Sequence, residues 1–116
     1  MNTETGPTKA IKHDAEKPMM SLLSPFALEE MAKVLTHGAK KYSDHNWRNN
    51  GGLKYSRLMS AVMRHLTAYQ QGETKDLETG LSHLSHAACG LMMLIEYEQT
   101  GNGDNDLYFL QDGPSE

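Results

Sequence analysis

The chain has 116 residues, 38% of them apolar, with a net charge of −4 and one cysteine. That length suits one domain with a modest core, and a single thiol excludes a disulfide framework. From Lys12 to Thr100 ten Lys/Arg balance ten Asp/Glu, which leaves no basic field to hold duplex nucleic acid; no apolar run reaches membrane-spanning length, and the polar start lacks a signal peptide, so a cytoplasmic protein is expected.

Residues 1–11 are polar and read as a loose arm. The stretch "KHDAEKPMMSLLSP" (12–25) is expected to be extended or irregular, because Pro18 and Pro25 bias their predecessors away from helix. A first helix then begins: Ser24 is a good N-cap, Pro25 suits the first helical position, and Leu28, Met31, Ala32, Leu35, Ala39 and Tyr42 recur at helical spacing. "SDHNWRNNGG" (43–52) is a loop by composition. A second helix covers roughly 54–71, with Leu58, Val62, His65, Leu66 and Tyr69 in one stripe and Gly72 as its stop. After a short acidic connection, Thr79 or Ser82 caps a third helix that runs to about Thr100. That helix is apolar nearly all round (Leu81, Leu84, Ala87, Ala88, Leu91, Met92, Met93, Leu94, Ile95), the pattern of a buried helix. One short chain can cover only part of it, so a homo-oligomer, dimer or tetramer, is expected to complete the core. The acidic tail (101–116) is either irregular or docked on a neighbouring subunit. There is no strand pattern and no repeat. The expectation is an all-α bundle of three main helices over residues 12–100.

Chemistry concentrates in two places. His83 and His86, spaced i, i+3, share one face of the third helix. If helices two and three pack antiparallel, His65 lies at the same end, beside Glu73, Asp76 and Glu78 of the connection. Unpaired carboxylates and imidazoles are costly to bury together. The corner therefore holds either a divalent cation or an extensive hydrogen-bonded network. Mixed His and carboxylate ligation suits Zn, Mn, Fe or Ni better than Ca, with Mg possible if carboxylates dominate. The second cluster is "GAKKYSDHNWR" (38–48). Lys40, Lys41 and Arg48 are cations near one helix end, and Tyr42 and Trp47 are the aromatics among them. Cations for phosphate and a flat ring for a base are what a nucleotide site needs. The plainer reading is a solvated basic helix end with Trp47 as a loop anchor. Arg64, beside His65, is a further phosphate candidate or a partner for Glu30 or Glu73. Glu29 and Glu30 are weaker metal candidates.

The phrases "KHDAEKP", "VLTHGAKKYSDHNWR", "SRLMSAVMRHLTAYQQGE" and "KDLETGLSHLSHAACGLMML" resemble a family of phage-borne dATP/dGTP diphosphohydrolase-like proteins, over residues 12–98. The resemblance implies metal-dependent cleavage of a (deoxy)purine nucleoside triphosphate to monophosphate and pyrophosphate, in the host cytoplasm. On that reading Asp76, Glu78, His83 and His86 hold a divalent metal (Mg, Mn or Zn), and His65 or Glu73 is the base. Lys40, Lys41 and Arg64 hold phosphates, and Tyr42, Asn46, Trp47 and Arg48 complete the nucleotide site. The family is similar in name and size to the all-α MazG-type pyrophosphohydrolases, which bind Mg²⁺ through E-E-x-x-E and E-x-x-D. This chain departs from that pattern. Lys33 follows Glu29-Glu30 where the third acid belongs, and His83-x-x-His86 replaces E-x-x-D. Either the site uses histidines with the connection's acids, or the chain binds and sequesters a host signalling nucleotide without cleaving it. A structural role, with the polar corner pinning subunits together, is the third reading.

Overall fold

The computed structural model describes residues 9–108. Its regular elements are α1 (Pro25–Lys41), α2 (Tyr55–Gln70) and α3 (His83–Thr100), with short 3-10 segments at Met20–Leu22 and Asn46–Gly51. Among the described residues the only β-type pairings are isolated bridges, Lys54 with Asp104 and Lys75 with Ser82, so the chain is all-α as its periodicity implies. Among the described residues no helix is long and apolar enough to cross a membrane.

Local chemistry sets most helix ends. Ser24 Oγ accepts from the Ala27 amide at 3.1 Å, and Pro25 follows it at the first helical position. Ser82, not Thr79, caps α3, its Oγ accepting from Leu84 N at 3.1 Å. Gly101, at φ +79°, closes α3 in the left-handed conformation that glycine adopts without strain. The start of α2 has no such local cap, since Lys54 offers no side-chain bond. Asp106 supplies it from the other end of the chain, accepting from Ser56 N at 2.9 Å and Ser56 Oγ at 2.6 Å.

α2 and α3 form an antiparallel pair: His65 meets His83 at one end, and Leu58 clusters with Leu94 and Tyr97 at the other. Gly90 lets them approach closely, because a Cβ there would sit 2.5 Å from Val62 Cγ2. The core is Trp47, Leu58, Leu94 and Tyr97, flanked by Leu53, Tyr55, Met59, Met92 and Met93. α1 lies against α3 and buries none of its residues fully. α3 buries His83, Ala87, Gly90, Leu94 and Tyr97 on its α2 side and Cys89, whose Sγ donates to Met31 O at 3.3 Å, on its α1 side; Leu84, Leu91 and Ile95 remain 44–58% exposed.

The described part of the tail folds back on its own chain. Gly103 N donates to Gly51 O at 2.7 Å, Asp104 N to Leu53 O at 3.0 Å, and Tyr55 N to Asp104 O at 2.8 Å. Residues 101–106 therefore belong to the helical unit, in place of the separate tail or neighbour-docked segment that the sequence suggested. Residues 1–8 of the arm and 109–116 of the tail lie outside the described residues.

Candidate active site

The connection between α2 and α3 is a tightly bonded loop. Glu73 N donates to Ala68 O, Asp76 N to Leu81 O, Gly80 N to Asp76 O and His83 N to Thr74 O, all between 2.8 and 3.0 Å. Within it Asp76 Oδ2 accepts from the amides of Glu78 and Thr79 at 3.1 and 3.0 Å and from the Thr79 hydroxyl at 3.2 Å. Burial pushes the Asp76 carboxyl up, but the Thr79 amide and hydroxyl, aided by His86 and His65, outweigh this and hold it below its ordinary value. Asp76 is thus an oriented, ionised carboxylate beside the first turn of α3.

Three histidines meet it there. His65 Nδ1 and His83 Nδ1 are 2.8 Å apart, and His83 Nε2 lies 3.0 Å from Glu73 Oε2. His86 stacks on His65, with centroids 4.5 Å apart and planes 12° apart, and its Nε2 lies 2.7 Å from Thr79 Oγ1. Thr79 Oγ1 also accepts from Leu81 N. Counting donors, its one proton goes to Asp76, which can only accept, so His86 donates from Nε2 and keeps its lone pair on Nδ1. Burial, with the neighbouring histidines, holds His65 below the usual imidazole range; burial likewise lowers His86. Both are neutral at neutral pH.

One donor atom from each of His65, Asp76 and His83 falls within 4.8 Å of the others, close enough for one ion to reach all three. The i, i+3 pair that the sequence offered does not make up this group. His65 joins His83 across the helix interface, while Thr79 engages His86. Glu78 is also drawn elsewhere: its Oε2 accepts from Lys41 Nζ at 3.0 Å and lies 3.7 Å from His37 Nε2. Lys41 accordingly pushes the Glu78 carboxyl down. This pair ties the end of α1 to the corner and unites the two clusters.

Between them opens a cavity of about 810 Å³, whose wall includes Lys41, Tyr42, Asn46, Trp47, Arg48, His65, Asp76, Glu78 and His86. Glu73, His83 and Lys40 are not part of that wall, and Arg64 lines a separate depression with Ser60, Met63, Thr67, Ala68 and Gln71. Trp47 is buried in the core with Tyr97, and the Arg48 guanidinium lies over its ring at 4.0 Å from the centroid. Arg48 is in turn bonded to both Glu96 carboxylate oxygens, at 2.6 and 2.8 Å, and touches His45. Tyr42, 64% exposed, is the accessible aromatic. Sequence reasoning missed His37, Asp44 and His45 in the wall. For His37 the signal was there, one helical turn before Lys41. It also weighed Thr79 only as an alternative to Ser82 for the α3 cap, whereas Thr79 anchors Asp76 and His86.

The wall's charges decide what can bind. Among its described residues two permanent cations, Lys41 and Arg48, face three carboxylates, Asp44, Asp76 and Glu78, and both cations are already ion-paired.

A family described as dATP/dGTP diphosphohydrolase, N-terminal, matches residues 7–107. A dATP/dGTP diphosphohydrolase of Salmonella phage PMBT28 is 45% identical over 85 residues, which are 73% of this chain and 28% of that protein. The chain thus spans under a third of this relative's length. No solved structure matches.

Proposed function

The chain belongs to the dATP/dGTP diphosphohydrolase N-terminal family, and from that premise we propose that it hydrolyses a purine deoxynucleoside triphosphate to monophosphate and diphosphate with the help of a divalent cation. The observation that carries the reading is the cavity, which joins a nucleotide-sized space to an oriented His/carboxylate corner but has no unpaired permanent cation among the described residues of its wall. A triphosphate entering it meets more negative than positive charge among those residues, so a bound cation would supply most of the neutralisation.

His65, Asp76 and His83 are the residues that would hold the cation, since their donor atoms cluster within 4.8 Å. When bound, it supplies phosphate neutralisation and lowers the pKa of a water. The rest is done by side chains. Lys41 can exchange Glu78 for a phosphate oxygen, and Tyr42 offers the flat surface that Trp47, buried beneath Arg48, does not. Water attacks the α-phosphorus, the bond to the β-phosphate oxygen breaks, and the water's proton needs an acceptor. His86 suits this role: it lines the cavity and is neutral, with its Nδ1 lone pair free. Glu73, turned toward His83 and absent from the wall, does not suit it.

The test is incubation of the chain with dATP or dGTP and Mn²⁺, Mg²⁺ or Zn²⁺, with products separated by anion exchange. Equal amounts of monophosphate and diphosphate are expected, with loss of turnover in His65→Ala and Asp76→Asn. Tight binding with the triphosphate returned intact under every metal would instead support a sequestering protein. Binding that is indifferent to both Lys41→Ala and Tyr42→Ala would remove the nucleotide reading.

A further inference from the structure

Glu73 does not line the cavity, yet its geometry is specific. A carboxylate can only accept, so at 3.0 Å the bond to His83 requires the proton on His83 Nε2. The imidazole form that ligates a metal has one N–H, so with that proton on Nε2 its lone pair is on Nδ1. That lone pair points to Nδ1 of His65, 2.8 Å away. His83 is buried, its side chain 6% exposed, while the Glu73 side chain is 46% exposed. A surface carboxylate thus reaches in to fix the tautomer and orientation of a buried ring.

We infer that Glu73 is a positioning residue for the cation, and that through His83 it builds a site with two imidazole ligands and one carboxylate that selects an imidazole-preferring divalent ion over magnesium. This rests on the cation-holding reading of the corner and is independent of any nucleotide. For bonds of about 2.0–2.1 Å, adjacent ligand atoms on one ion lie roughly 3 Å apart, near the separation of the two Nδ1 atoms. Without an ion, a hydrogen bond from His65 Nδ1 fills the same contact. With one, that proton moves to His65 Nε2, and both Nδ1 lone pairs become ligands without net proton release. A carboxylate on the far nitrogen of a ligating histidine raises the ring's basicity and locks its rotation. Imidazole suits Zn, Fe, Ni and Cu, whereas Mg²⁺ prefers oxygen and keeps its waters.

The experiment is a titration of the chelator-treated full chain with Co²⁺, read by visible d–d absorption, with Mg²⁺ as competitor and no nucleotide present. The wild type is expected to bind one Co²⁺ that excess Mg²⁺ does not displace, and His83→Ala to lose the signal. Glu73→Ala should bind roughly 10–100-fold more weakly with an unchanged circular dichroism spectrum, because the side chain is half exposed. Glu73→Gln keeps the acceptor and loses the charge, so its affinity should fall between the two. Absence of a Co²⁺ signal in the wild type, displacement by Mg²⁺ at comparable concentration, or wild-type affinity in Glu73→Ala would each overturn the inference. Because nucleotide turnover is measured separately, failure of this site and failure of the hydrolase reading give different results.

Discussion

Tyr97 is fully buried and does two things with one hydroxyl: it donates to Trp47 O at 2.5 Å and accepts from Leu53 N at 2.9 Å. These bonds tie the 46–53 loop to α3, and the ring supports Trp47 and Tyr55 on either flank. Tyr97→Phe keeps the ring and strands one carbonyl and one amide, so it should destabilise by about 1–3 kcal/mol, read as a lower denaturant midpoint with unchanged slope. At this scale the sequence was partly legible. Glu73, Asp76, His65, His83 and His86 were all marked as one corner, because titratable groups do not gather at a hydrophobic helix without a reason. Their roles were not legible. Whether His65 or His86 partners His83 depends on which face α2 turns inward, and on Thr79, whose hydroxyl reaches His86. Neither is encoded in the spacing of the histidines. Trp47 was read as a stacking surface or a loop anchor; it lines the cavity yet is only 9% exposed, packed against Tyr97.

Between elements, two contacts set the α2/α3 geometry that holds the corner together. Gly90 is the first. In an exposed helix Gly→Ala would gain up to about 1 kcal/mol, but here the new methyl would lie 2.5 Å from Val62 Cγ2, on a short, stiff side chain. Overpacking should win, and Gly90→Ala should lose about 1–3 kcal/mol, seen as a lower Tm. A rise in Tm would mean that the helices separate easily. The second contact is the Asp106 cap on α2. Bonds from the Ser56 hydroxyl and amide hold the Asp106 carboxyl below its ordinary value. A carboxylate with a depressed folded-state pKa contributes stability above its unfolded pKa and loses it as pH falls through the folded value. Asp106→Ala should therefore lower Tm at neutral pH, and the deficit should close in acid, below the ordinary carboxylate range. A deficit that persists there would mean that the cap works by shape and not by charge. The helices themselves were legible because Ser24, Pro25, Ser82 and the glycines act within a turn of where they sit. The start of α2 was located only approximately, since its cap comes from a residue 50 positions along the chain, in a tail that composition alone marks as irregular.

For the whole molecule, the unfinished business is apolar surface. α1 has 17 residues and buries none of them fully. Just ahead of it and in its first turn, Met19, Met20, Leu22 and Phe26 are 67–82% exposed. On α3 the residues Leu84, Leu91 and Ile95 stay 44–58% exposed, with Ala88 between them. Positions 84, 88, 91 and 95 follow the four-three-four spacing of a helix seam that packs against another helix. Scattered exposed leucines need no explanation, but contiguous apolar patches on two faces do. Within one chain α2 and α1 cover other sides of α3, and no described helix covers the side that carries 84, 88, 91 and 95. A second copy, crossing along the seam, would cover it and would bring two corners into one assembly. Light scattering at micromolar concentration should then give two or four times 12.9 kDa. Leu91→Glu should lower that mass, because it places a charge at the middle of the seam. Leu91 is not among the residues of the cavity wall or the cation group, so the variant should still bind Co²⁺. If the wild type already runs as a monomer, the seam has no partner in this chain. If Leu91→Glu keeps the oligomeric mass, the association uses the face of α1 instead.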